Sequence, residues 1–330
     1  MAEFGAQRPR VLRMPLDPRA QRFLDRLAAM NPQSALALSV AERRAALAEL
    51  LGFAGTHEPV ECIEDRSVPG AESELTVRIY TPAQAQRAVL PGLVYFHGGG
   101  FVAGTLDSHD GICRSLANAS ACRLISVGYR LAPEHPFPAG IADGWAVMRW
   151  VATHAAELSV DPRCLAVGGD SAGATLAAVI AQLAARTRDV RLALQVLLCP
   201  LLDVHAATES RRLYATGYFL DQATLDHDLR YYLGAGVERD DPRVSPLRTA
   251  ELRHLPPTII HTAEFDPVRD EGQVYAQRLE HAGVPTLYRC HSGMIHLFYG
   301  MGALIPYAAE AYRQIGADIA SLLTAKGNAQ

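Results

Sequence analysis

Lysine is almost missing from this 330-residue chain: Lys326 is the only one, so arginine supplies nearly all of the 31 basic residues. That skew is compositional and carries no functional weight. Set against 35 acidic residues it leaves a formal charge of −4 with no block of one sign, which argues against a nucleic-acid groove or a polybasic membrane surface. A small neutral substrate fits such a balance. No apolar run approaches the roughly 18 residues of a membrane span, and Met1 to Leu16 carries arginines and a proline but no apolar targeting core. The expectation is a cytoplasmic protein with no stable membrane association and no nucleic-acid partner. Cysteine is sparse, and Cys62, Cys113, Cys122, Cys164, Cys199 and Cys290 show no close pairing of the zinc or redox kind. Buried thiols are expected, without a metal. Neither GxxxxGK[ST] nor GxGxxG occurs, so the glycine-rich stretches are not read as phosphate cradles. There is no internal repeat and no low-complexity tract.

What is present begins with two amphipathic stretches. Leu24, Leu27 and Ala28 recur at helical spacing within Asp17 to Met30, and a second helix is expected from Ser39 to Leu51, opened by the capping-box pair Ser39 and Glu42. Strands are expected over Val60 to Arg66 and Glu74 to Tyr80. The pattern then changes to short continuous apolar runs at Leu93 to Phe96, Leu124 to Val127, Leu165 to Val167, Ala193 to Leu198, Thr258 to Ile260 and Thr286 to Tyr288. Helical patterns alternate with them at Gly140 to Leu158, Ala172 to Arg186, Arg269 to Ala282 and Tyr307 to Leu323. Strands buried on both faces and alternating with helices predict an α/β fold with a mostly parallel central sheet flanked by helices on both faces. A site in such a sheet lies beyond the carboxyl ends of the strands. The segment from Leu202 to Arg243 interrupts the alternation and is too long for an ordinary connection. Its Tyr214, Tyr218, Phe219, Tyr231 and Tyr232 either line a pocket or pack the insertion onto the body.

The chemistry concentrates in Gly169-Asp170-Ser171-Ala172-Gly173, between an apolar run and a helix. A serine on a sharp strand-to-helix turn is presented as a nucleophile, and the flanking glycines are small because a side chain there would collide with the neighbouring strand or helix. A hydroxyl needs a base, usually a histidine oriented by a carboxylate. His296 falls between the last strand signal and the last helix, where the base of a Ser, Asp, His order belongs, with His291 as the alternative. Asp266 occupies the loop after the strand Thr258 to Ile260, whereas Asp270 already lies in the next helix. Glu264 is assigned a supporting place, and Asp170 is expected to brace the turn. His97-Gly98-Gly99-Gly100-Phe101 follows a strand directly, so its amides can converge on one point. Gly98 and Gly99 are expected to form an oxyanion hole with the Ala172 amide. Asp107-Ser108-His109-Asp110 has metal-capable side chains, but adjacent residues seldom converge on one ion, and a loop capping the following helix is the expectation.

These motifs, together with Tyr129 to Ala139, Asp241 to Leu247 and Asp266 to Gly272, resemble the hormone-sensitive-lipase-like branch of the α/β-hydrolase esterases. The resemblance covers most of the chain. It implies an α/β-hydrolase fold with a helical cap, residues 1–54 supplying cap helices, 55–202 and 244–330 the two parts of the catalytic core, and 203–243 a cap insertion. It also implies a Ser171, Asp266, His296 triad and hydrolysis of short- to medium-chain acyl esters through an acyl-enzyme, without a cofactor. The substrate would be a small-molecule ester and the assembly a monomer or a homodimer. The same triad supports an amidase or a deacetylase acting on a larger acylated metabolite, and a ligand-binding receptor on this fold is a further alternative that intact triad residues disfavour. Two departures stand out: Ala174 and Leu297 occupy positions where the family often has glycine.

Overall fold

The computed structural model describes residues 15–30, 34–85, 88–234 and 236–324; the start of the chain up to residue 14, and Lys326, lie outside them. The Asp17 carboxylate opens helix α1 (Pro18–Ala29) by accepting from the Arg19 and Ala20 amides, with proline in the first turn. Helix α2 (Val40–Ala54) begins with the expected capping box, the Glu42 carboxylate accepting from the Ser39 amide at 2.8 Å and Ser39 Oγ from the Glu42 amide. There follow β1 (Cys62–Pro69), β2 (Glu74–Thr81), β3 (Leu90–Phe96), α3 (Asp110–Ser120), β4 (Arg123–Val127), α4 (Ala139–Thr153), β5 (Val160–Asp170), α5 (Ala172–Thr187) and β6 (Leu194–Leu198). The insertion carries α6 (Glu209–Leu213) and α7 (Gln222–Tyr232), and the chain continues through β7 (Thr258–Phe265), α8 (Arg269–His281), β8 (Thr286–Ile295) and α9 (Tyr307–Thr324).

The strands form one sheet of eight in the order β1-β2-β4-β3-β5-β6-β7-β8. β1 and β2 are antiparallel, as are β2 and β4, and every other neighbouring pair is parallel. Alternate residues of β3 show why the apolar runs are unbroken. Val94 and Phe96 enter the core with α4, α5 and α8, while Leu93 and Tyr95 enter the core on the opposite face with α3 and α9. Several strands run beyond their apolar stretches, because polar residues at the ends still pair. β5 continues to Asp170, β7 to Phe265 and β8 to Ile295, so each reaches a candidate site residue.

The N-terminal helices lie at the carboxyl ends of the strands. The Asp17 amide donates to the Gly293 carbonyl near the end of β8, and Arg44 of α2 donates from Nε to the Val102 carbonyl beyond β3 at 2.8 Å. The insertion meets α2 and the loop before it: Arg43 pairs with Asp228 of α7 at 2.9 Å, and His227 Nε2 donates to the Leu38 carbonyl at 3.1 Å. Its aromatic residues mostly pack it down. Tyr232 stacks on Phe101 with centroids 3.8 Å apart, and Tyr214 and Tyr218 both contact Phe265.

Candidate active site

Ser171 sits between β5 and α5 at φ 51° and ψ −118°, a conformation that costs a non-glycine residue roughly 1–3 kcal/mol. The turn is held by the Ser171 amide, which donates to the Leu198 carbonyl of β6 at 2.9 Å. A Cβ at Gly173 would run into the carbonyl oxygens of Phe96 and His97, and one at Gly169 into the backbone of Gly173 and Phe96. The turn therefore closes against the end of β3 only because both flanking residues are glycine.

Asp266 follows β7 and His296 follows β8, on neighbouring strands of the same sheet. His296 Nε2 lies 3.0 Å from Ser171 Oγ, and His296 Nδ1 lies 2.7 Å from Asp266 Oδ2. Both are buried. Since the carboxylate accepts, Nδ1 carries the proton and Nε2 is left to accept from the serine hydroxyl. The other Asp266 oxygen accepts from the Val268 amide at 3.0 Å, which fixes the carboxylate plane. Glu264 ties the two strand ends together by accepting from the Gly293 amide at 2.9 Å. His291, the alternative base, is engaged elsewhere: it lies 2.9 Å from His261 and 3.1 Å from the Tyr307 hydroxyl. Burial, with His261 beside it, drives the His291 imidazole down to about 3.

The glycine loop requires a correction to the expected donors. The Gly98 amide is committed to Asp170 Oδ1 at 3.0 Å and is not available to an oxyanion. Asp170, fully buried, also accepts from the Tyr95 hydroxyl at 2.7 Å. Burial raises the cost of its charge, but nearby His109 and the Tyr95 bond hold its carboxyl below the usual range. Asp170 thus braces the glycine loop and the end of β3 from its place beside Ser171. His97 contributes too, with Nδ1 donating to the Gly98 carbonyl at 2.8 Å, its own carbonyl accepting from Tyr129, and the Tyr129 ring stacked on it. Gly99 and Gly100 have φ of 116° and 65°, and their amides make no hydrogen bond among the described residues. The Ala172 amide is the first of α5, with no intrahelical partner.

The Asp228 carboxylate was not legible as part of this region. It sits where a Cβ on Gly100 would be, its pairing with Arg43 spans 185 residues, and no local pattern marks it. Burial raises the Asp228 carboxyl even against the Arg43 charge. The Asp107 to Asp110 stretch disperses: Asp107 pairs with Arg78, Asp110 with Arg114, and His109 turns inward to 3.7 Å from Asp170. Among the described residues the metal-capable side chains that converge are Cys199, Asp266 and His296, within 4.8 Å of one another. That donor set suits a proton line better than an ion. Asp266 and His296 already bond each other, and burial pushes the Cys199 thiol far up, away from the thiolate a metal needs.

Residues 93–300 match the model of a family described as having the alpha/beta hydrolase fold. The chain is 35% identical over 311 residues to an arylesterase of Saccharolobus solfataricus, covering 94% of this chain and 98% of that protein. It is 41% identical over 254 residues to the carboxylesterase NlhH of Mycobacterium tuberculosis, covering 76% of this chain and 79% of that protein. The solved structure of a hyperthermophilic esterase from Pyrobaculum calidifontis superposes with a TM-score of 0.88 at 37% identity, covering 94% of this chain and 99% of that one.

Proposed function

The chain belongs to the hormone-sensitive-lipase-like esterases of the α/β-hydrolase superfamily and is a carboxylic ester hydrolase; on that premise we propose that Ser171, His296 and Asp266 perform the hydrolysis through an acyl-enzyme. The observation that carries the assignment is the unbroken line from Ser171 Oγ through His296, at 3.0 and 2.7 Å, to the Asp266 carboxylate. His296 Nε2 takes the hydroxyl proton as Oγ bonds to the ester carbonyl carbon, and the carbonyl electrons move onto oxygen. That oxyanion rests on the amides of Gly99, Gly100 and Ala172. Gly100 replaces Gly98 in this set because the Gly98 amide is already spent on Asp170. The imidazolium is stabilised by Asp266 and then protonates the departing alcohol as the carbon–oxygen bond breaks. Water repeats the sequence on the acyl-enzyme and releases the acid.

Helices α1 and α2 and the insertion over 203–243 act in this reading as a cap over the acyl pocket, supported by the contacts of α1 with β8 and of α2 with the loop beyond β3. Short- to medium-chain acyl esters are the proposed substrates. Ser171→Ala is the direct test: hydrolysis of p-nitrophenyl butyrate should fall by on the order of 10⁴ or more while the far-ultraviolet spectrum is unchanged. Undiminished turnover would remove Ser171 from the mechanism. A p-nitrophenyl acyl series from two to sixteen carbons then reads the pocket depth, with rates expected to collapse at the long end.

A further inference from the structure

Between α1 and α2 lies a groove of about 690 Å³, within the roughly 300–1,000 Å³ typical of small-molecule sites. None of Ser171, Asp266 or His296 lines it, so binding there stands or falls independently of their proposed roles. Its apolar wall includes Leu27, Leu50, Phe53 and Phe219, and Phe53 is 73% exposed. A large aromatic ring left that open beside other apolar side chains is a surface that gains by being covered.

The charge beside this wall is one-sided. Arg19, Arg22 and Arg26 all line the groove from α1, spaced so that they share a helix face. Among the described residues none of them is paired with an acid. The acids nearby are otherwise engaged: Asp17 accepts from the first amides of α1, and Asp25 accepts from Gln21 at 2.7 Å. Arg43, a fourth lining cation, is neutralised by Asp228, which leaves Glu49 as the lining carboxylate against three arginines.

We propose that this groove binds an anionic amphiphile, a fatty carboxylate, with its chain along Leu27, Leu50 and Phe53 and its head group on Arg22 and Arg26. Each methylene removed from water favours the chain, and guanidinium groups meet a carboxylate with paired, charge-assisted hydrogen bonds. A neutral chain lacks the second contribution, and a cationic one is repelled.

Isothermal titration with dodecanoate and dodecyltrimethylammonium below their micellar concentrations, and with dodecanol below its solubility limit, tests the assignment. Dodecanoate should bind about tenfold more tightly than dodecanol, the ammonium should bind more weakly than either, and about 0.5 M salt should narrow the gap. In Arg22→Gln/Arg26→Gln the preference for dodecanoate should vanish while dodecanol affinity stays, and Leu50→Glu should weaken both. Undiminished dodecanoate affinity in the arginine double variant would place the ligand elsewhere, the pocket over Ser171 included, and overturn the proposal. Loss of dodecanol binding in that variant would overturn the assignment of the head group. Concentration-dependent dimerisation that blocks dodecanoate binding would make a second copy the occupant instead.

Discussion

Leu297 holds left-handed backbone, φ 60° and ψ 16°, immediately after the proposed base, a region of backbone conformation that favours glycine. The side chain is nevertheless buried. Relief of strain in Leu297→Gly is worth about 1–2 kcal/mol, whereas losing a buried leucine side chain costs about 2–5 kcal/mol. Burial wins, and the variant should unfold in urea with a stability lower by about 1–3 kcal/mol. Asp170 offers a sharper test of the glycine loop. Asp170→Asn keeps an oxygen that can accept from Gly98 and Tyr95, so kcat should stay within about tenfold, while Asp170→Ala should lower it by about 10². Equal losses in the two would mean that the charge, and not the acceptor, matters. At this scale the sequence was informative where a residue's job is set by its neighbours in the chain. Ser171, Asp266 and His296 were singled out from their places after strands, and their side chains lie within hydrogen-bond distance of one another in series. Gly98 was expected among the donors because three consecutive glycines look alike until a distant acceptor, here Asp170, takes one amide.

Among the elements, α2 and α7 show what local pattern does not reach. The capping box made the start of α2 readable, and the length of the segment after Leu202 marked an insertion. The joint between them was invisible, because Arg43 and Asp228 are 185 residues apart and each alone resembles an ordinary helix charge. Once formed, the joint sets Asp228 against Gly100, so the insertion, the N-terminal helices and the glycine loop share one contact region. Arg43→Ala would leave Asp228 buried with His227, at 2.9 Å, as its remaining side-chain hydrogen-bond partner among the described residues. A loss of about 3 kcal/mol is expected in chemical denaturation. Adding Asp228→Asn should recover a large part of it, since the amide no longer buries a charge. A strictly additive double variant would show that the two residues are not coupled.

The whole molecule carries several imidazoles that folding keeps neutral. Burial, with neighbouring His109, drives His97 down to about 3, and His291 falls as far, while burial also lowers His261 despite Asp318 beside it. In the unfolded chain these groups titrate near 6.5. Between about pH 6.5 and 3 these imidazoles therefore bind more protons in the unfolded chain than in the native one, and their contribution makes stability rise with pH across that window. The thermal midpoint should climb from pH 4 to pH 6.5 and level off above, and His291→Asn should make the climb shallower. An unchanged slope would mean that His291 charges freely in the folded protein. The parallel, doubly covered sheet was legible at this scale from alternating apolar runs and helices. The strand order was not, because which strands become neighbours depends on pairings far apart in sequence, such as β2 against β4.

The bond from the Asp17 amide to the Gly293 carbonyl, 3.0 Å long, joins the start of α1 to a point three residues before His296. Ser171 precedes His296 by 125 residues. On the ribosome the proposed nucleophile would thus leave the exit tunnel well before its proposed base has been translated, and α1 would wait through most of synthesis for the strand it docks on. If Ser171 and His296 act as proposed, hydrolytic competence then arrives late, and a chain released before β8 would be a serine without a base, unable to attack esters in the cell that made it.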